Sequence, residues 1–192
     1  DHDNSSDFFS CPTITMEYLV QKWKMWFNMI DLNHHKKIAK ADVSQAESTF
    51  MDLSHLDADK RKETLAAMDK WWNEYIFRGK PGPITEKIFV DALMKDYKAD
   101  KKAFVDWVKR LLKDVYDIID VDHDGSMTEE EYVNAFRSIG HETAQDVRFF
   151  NAYKPVRGKI PVSQLTDSWV QFLTSEDKTQ PDVVRDVLQS GF

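Results

Sequence analysis

Twelve consecutive residues constrain this chain more than any other stretch: Asp120-Val121-Asp122-His123-Asp124-Gly125-Ser126-Met127-Thr128-Glu129-Glu130-Glu131. They match the pattern D-x-D-x-D-G-x5-E, with acids at positions one, three, five and twelve and glycine at six. Alternate side chains of so tight a loop converge on one point, so Asp120, Asp122 and Asp124 bring hard oxygen donors together. Calcium takes six to eight such donors at about 2.3 to 2.6 Å. Gly125 allows a sharp turn where a side chain is expected to clash, and lets the Ser126 carbonyl face inward. Thr128 contributes through a water, and Glu131, on the first turn of the exiting helix, closes the shell with both carboxylate oxygens. The plainer alternative is a solvated acidic helix start in which Thr128 and Glu131 form a capping box. A cap explains neither the alternating aspartates nor the glycine, so these six residues are the expected ligands of one calcium ion per chain.

Such a loop needs a helix on each side, and the remaining sequence supplies helices throughout. Leu19, Trp23, Trp26, Phe27 and Ile30 recur at helical spacing, as do Leu65, Met68, Trp72, Tyr75 and Ile76. The run Phe104, Trp107, Val108, Leu111, Leu112, Val115 and Ile119 repeats the pattern. Further helices are expected near 43–53, 86–97, 129–138, 143–153, 162–173 and 181–188, and strand-like alternation is nowhere sustained. The fold class is therefore all-α. Ile38, Ile84, Met127 and Ile160 each stand alone before a small or polar residue, at a loosely repeating interval. In an EF-hand, position eight of one loop pairs through its backbone with position eight of a neighbour. Four marks imply two EF-hand pairs packed into one compact body, assigned to residues 13–97 and 98–192 behind a flexible leader, 1–12.

Aligning those marks shows how unequal the loops are. The first runs Asp31, Asn33, His35, Lys37 and Asp42 at positions one, three, five, seven and twelve, with Lys36 in the glycine place. A nitrogen replaces one oxygen ligand, and Asp42 is a carbon too short for an easy bidentate grip. The second offers Phe77, Gly79, Pro81 and Ile88, and the fourth offers Tyr153, Pro155, Arg157 and Gln164, with no carboxylate in either set. Both are expected to be inert toward calcium, although Gly158 keeps the turn of the fourth.

Composition narrows the partners. A formal charge of −7, with no basic stripe, disfavours nucleic acid and suits a cation binder. No apolar run is long enough to span a membrane. Cys11 is the only cysteine, so neither an internal disulfide nor a thiolate metal cage is available. The chain opens at Asp1 without methionine, and Asn4-Ser5-Ser6 fits a glycosylation tripeptide; secretion after signal removal and a cytoplasmic location both stay open. Were Asp1 the true amino terminus, its amine and His2 could hold copper only weakly. No nucleophile elbow, zinc helix or phosphate-cradling glycine loop is present, so the expectation is a non-enzymatic, monomeric protein.

Taken with the intact third loop, the opening helix Tyr18 to Asp31, the Trp71-Trp72-Asn73 stretch and the final helix resemble the invertebrate sarcoplasmic calcium-binding proteins. The likeness covers most of residues 13–192. That family is a compact four-EF-hand fold related to calexcitin and to the coelenterazine-binding photoproteins. The resemblance implies a cytosolic calcium buffer with two or three working sites, against the single site counted here. It also raises an alternative for Trp23, Trp26, Trp71, Trp72, Trp107 and Trp169: a pocket for a hydrophobic or aromatic small molecule, in a calcium-stabilised carrier. Core packing is the plainer account of these residues. A secreted interaction protein with a structural calcium is the third reading.

Overall fold

The computed structural model describes residues 12–191. The leader, the Asn4 tripeptide, Asp1, His2 and Cys11 lie outside the described residues, apart from Pro12, which opens the first helix. The helices are α1 (Pro12–Ile30), α2 (Lys40–Leu53), α3 (Ala58–Trp71), α4 (Glu86–Ala99), α5 (Lys101–Ile119), α6 (Glu129–Ser138), α7 (Thr143–Ala152), α8 (Val162–Thr174) and α9 (Val183–Gln189). Four short strands accompany them: β1 (Lys37–Ile38), β2 (Ile84–Thr85), β3 (Ser126–Thr128) and β4 (Lys159–Pro161).

The expected loop pairing is present. β1 runs antiparallel to β2 with Ile38 opposite Ile84, and β3 antiparallel to β4 with Met127 opposite Ile160. All four position-eight side chains are buried. Each loop thus gives its backbone hydrogen bonds to a partner and its side chain to the core, satisfying both demands of a buried turn.

Local chemistry sets the helix starts. Side chains of Asp57, Thr85, Asp100, Thr128 and Asp182 accept backbone N–H bonds from Lys60, Ile88, Ala103, Glu131 and Arg185. In α5 the residues Phe104, Val108, Leu111, Leu112 and Tyr116 are buried, one face at intervals of three and four. The stretch after α3 departs from the expected single helix. Residues Trp72–Phe77 form a π-helical turn closed by a left-handed Arg78, and Leu65 is exposed. In this turn Trp72, Tyr75, Ile76 and Phe77 all face the interior.

One hydrophobic core runs through both pairs. Helix α1 packs on α4 and α8, α2 on α6, and α3 and α8 on α5. Polar ties cross the same boundary: Asn134 donates to the Leu53 carbonyl at 3.2 Å, and the His141 ring meets the Met29 carbonyl at 2.7 Å. Five of the six tryptophans are buried. Trp107 is half-buried, with the Arg78 guanidinium 4.7 Å from its ring. Trp23 and Trp71 donate their indole N–H groups to the Leu173 and Leu111 carbonyls, each at 3.0 Å.

Two buried charges stand out. Lys22 is fully buried on α1, donates to the Ser175 carbonyl at 2.7 Å, and lies 3.8 Å from Asp182. Burial lowers its pKa to about 8, against the opposing attraction of Asp182. Glu47 on α2 is also buried, and burial together with the charge of Asp69 raises its pKa to about 7.

Because Glu47 titrates above its unfolded value, its stabilising protonated form is complete below the unfolded pKa of about 4.3 and is lost as pH rises through about 7. Glu47→Gln is therefore expected to be more stable than the parent at pH 8, by about 1 to 2 kcal/mol, and no more stable at pH 4. Urea denaturation at the two pH values measures the difference.

Candidate metal centre

All four loops share one backbone device and differ in what fills it. Position six is left-handed in every one: Lys36 at φ 60°, Gly82 at 75°, Gly125 at 78° and Gly158 at 75°. At Gly125 a Cβ would meet nothing within 4 Å, so the expected clash is not the reason for glycine. The reason is the backbone angle, which costs a residue with a Cβ about 1 to 2 kcal/mol.

Position one is buried in every loop as well: Asp31, Phe77, Asp120 and Tyr153. In the third loop Asp120 uses Oδ2 to accept the Gly125 N–H at 2.9 Å. In the first, Asp31 accepts the Lys36 N–H at 2.8 Å through the same oxygen. The second loop instead turns Phe77 inward until its ring would lie 2.7 Å from a Cβ at Gly82, occupying the space across the turn. The fourth buries Tyr153, whose hydroxyl is 2.7 Å from that of Ser168.

The third loop gathers charge. Asp120, Asp122 and Asp124 each offer a carboxylate oxygen, and these oxygens lie within 4.8 Å of one another. Asx-type bonds hold the arrangement, since Asp122 accepts the Asp124 N–H at 3.2 Å and Asp124 accepts the Ser126 N–H at 2.8 Å. Asp120 Oδ1 is buried with no hydrogen-bond partner. Burial raises the pKa of Asp120; the Gly125 N–H opposes the shift, and Asp122 and Asp124 add to it. Three carboxylates thus share one small volume, one of them with a buried oxygen that no donor meets.

Glu131 stands apart from that cluster. Its Oε2 accepts the Thr128 N–H at 2.9 Å and the Thr128 hydroxyl at 3.1 Å, while Thr128 Oγ1 accepts the Glu131 N–H at 3.2 Å. This is the capping box offered as the plainer alternative, and it coexists with the aspartate cluster. Ser126 and Thr128 lie on β3, between the cluster and α6.

Sequence reasoning missed Lys159. It sits at position seven of the fourth loop, opposite Thr128 in the strand pair, and its ammonium contacts Asp124. That hydrogen bond is the chief reason the Asp124 carboxyl is held below its ordinary pKa. Pairing the position-eight residues on paper already puts residue 159 beside the third loop, so a signal was there to be used. The first loop closes on itself: Asn33 donates to Asp42 Oδ1 at 3.1 Å, and Ala39 to Asp42 Oδ2 at 3.4 Å.

Phe77→Ala leaves a void across the turn of loop two, where positions one, three, five and twelve carry no carboxylate. Chemical denaturation should register a loss of about 3 to 5 kcal/mol, and calorimetry should find calcium stoichiometry unchanged.

With this geometry in place, comparisons with known proteins give the chain its relatives. No family model matches it. A sarcoplasmic calcium-binding protein from Mizuhopecten yessoensis is 35% identical over 176 residues, spanning 91% of this chain and 99% of the relative. Among solved structures, the coelenterazine-binding protein of Renilla muelleri in its calcium-loaded apo form aligns with a TM-score of 0.69 at 17% identity, covering 88% of this chain and 94% of that one. Mitrocomin, a calcium-regulated photoprotein from the jellyfish Mitrocoma cellularia, aligns at 0.63 with 16% identity, covering 90% and 91%. At such identities the two structures speak for the fold alone, whereas the scallop relative matches along nearly its whole length. The chain belongs to the sarcoplasmic calcium-binding protein family.

Proposed function

We propose that this protein binds a single calcium ion at the third loop, without catalytic activity, through Asp120, Asp122, Asp124, the Ser126 carbonyl, Thr128 by way of a water, and Glu131. The observation that carries the reading is the convergence of three carboxylates beside the buried, unpartnered Asp120 Oδ1. Its membership of a calcium-binding family supports the choice of ion. Glu131 already stands at the start of α6, so one carboxylate serves both as cap and as the link between ion and helix.

The count of one rests on the other loops. Loop one has two acids against Lys36, Lys37 and Lys40, and its Asp42 is engaged by Asn33. Loops two and four have an aromatic ring at position one. We assign the working hand to the second of two EF-hand pairs, residues 98–192, with 13–97 as its scaffold. A second reading, a carrier for a hydrophobic small molecule, is favoured by an apolar interior cavity lined by Trp26, Trp71, Trp72 and Trp169.

Calorimetric titration should give one calcium per chain. Glu131→Gln should remove most of that binding and leave the helical circular dichroism intact, because ion binding stabilises only through linkage, by about 2.7 kcal/mol at 100 times the dissociation constant. A stoichiometry near two, or unchanged binding in the variant, contradicts the assignment.

Lys159 makes a separate test of the electrostatics. An ammonium already seated on Asp124 competes with the incoming ion, so Lys159→Met should tighten calcium binding about two- to fivefold, the scale of a partly exposed ion pair. The gain should shrink as salt is raised.

A further inference from the structure

Residues 139–142 connect α6 to α7, the exit helix of loop three to the entry helix of loop four. A Cβ at Gly140 would stand 4.0 Å from the backbone nitrogen of Asn33, so this connection lies against loop one of the other EF-hand pair. The next residue, His141, makes a two-sided contact. Its Nε2 is 2.7 Å from the Met29 carbonyl in the last turn of α1, and its Nδ1 is 3.6 Å from Oδ1 of Asp146 on α7. Both side chains are buried, and neither Asp146 oxygen accepts a hydrogen bond.

Counting donors decides what this geometry needs. A carbonyl only accepts, so Nε2 must carry a hydrogen. In the neutral ring Nδ1 is then a bare lone pair, and it faces a carboxylate that also only accepts. Two acceptors so placed in the interior repel each other. One proton between them turns the contact into an attraction, whether it rests on the ring or on the carboxyl. The carbonyl end of α1 favours a positive ring, and the last turn of that helix carries no charged side chain of its own. Helix α6 brings the charge of Arg137 and the Tyr132 hydroxyl to Asp146. Loop one has Asp31 turned onto the Lys36 N–H, and on α9, which packs on α7, Arg185 and Asp186 pair with each other.

Burial raises the pKa of Asp146, against the opposing pull of His141 and Arg137. The stabilisation from its proton is therefore complete below the unfolded value of about 3.9 and is lost as pH rises through the raised folded value.

We propose that His141 and Asp146 form a proton-operated latch between the two EF-hand pairs, closed while one proton joins ring to carboxyl and loosened when alkali removes it. The latch uses none of the calcium ligands, so it stands or falls apart from the calcium assignment.

The test is amide hydrogen exchange on the full chain at fixed calcium, at about pH 5 and about pH 9, which bracket the ordinary imidazole range. Intrinsic exchange rates are corrected for, and the amides of α5 serve as the internal reference. The amides of Gly140 and His141, which donate to the Arg137 and Phe136 carbonyls, report on the latch. Their protection relative to α5 should fall about tenfold at the higher pH, the scale of one buried hydrogen bond. Asp146→Asn supplies an amide that donates to the neutral Nδ1 at either pH, so the fall should vanish with protection kept high. His141→Gln, neutral throughout, should lower protection equally at both pH values, and it keeps the test decisive should the Asp146 variant fail to fold. Protection in the parent that is unchanged or rises with pH overturns the latch, as does a fall of the parent's size that persists in either folded variant.

Discussion

The antiparallel pairing of position-eight residues, Ile38 with Ile84 and Met127 with Ile160, is the constraint on which the other features depend. A loop in this fold has two duties, to hold an ion and to complete its neighbour's backbone. Only the second is obligatory, since an isolated short strand would leave buried N–H and C=O groups unmatched. That explains why loops two and four keep their left-handed sixth residue and buried eighth residue with no carboxylate at positions one, three, five or twelve. Their shape is needed by the loops opposite, whatever chemistry they have lost.

The same pairing makes one loop's side chains part of another's environment. Lys159 belongs by sequence to the fourth loop and by position to the aspartate cluster, where its ammonium partly neutralises Asp124. The third loop has six acids and no lysine or arginine, so a tethered cation of this kind limits self-repulsion. Charge is handled differently at Lys22, which closes the C-terminal segment onto α1 through Ser175 and Asp182 inside the core. A buried pair of that sort favours one arrangement of the chain's last segment more than it adds net stability.

Much of this was legible from residues whose roles are local. The D-x-D-x-D-G-x5-E loop, the isolated position-eight residues and the 3.6-residue spacing of α5 each state their structure within a dozen residues. What escaped was set by packing across the molecule. The π-helical turn at Trp72–Phe77 follows from the need to bury four neighbouring side chains against several elements, which no periodicity count contains. Leu65 is apolar and three residues before Met68, yet it is exposed, because α3 turns Met68 and Trp71 into the interior instead. The expected steric role of Gly125 was wrong for a related reason, since free space around a loop is a tertiary quantity and a backbone angle is a local one. Glu131 was legible as a helix cap, and the structure has it in the capping box.

Phe77 has a consequence for how such a protein can change over time. A loop that has lost a carboxylate and left its place open is one substitution from partial recovery. Loop two is not in that condition, because its position one is filled by Phe77, which is part of the hydrophobic core. Restoring aspartate at residue 77 would strand a charge among apolar neighbours unless several other positions changed with it. Tyr153 holds the fourth loop in the same way, with its hydroxyl bound to Ser168. In both loops an aromatic side chain of the core fills position one, so a single substitution there creates no set of oxygen donors while the left-handed sixth residue keeps the shape of the turn.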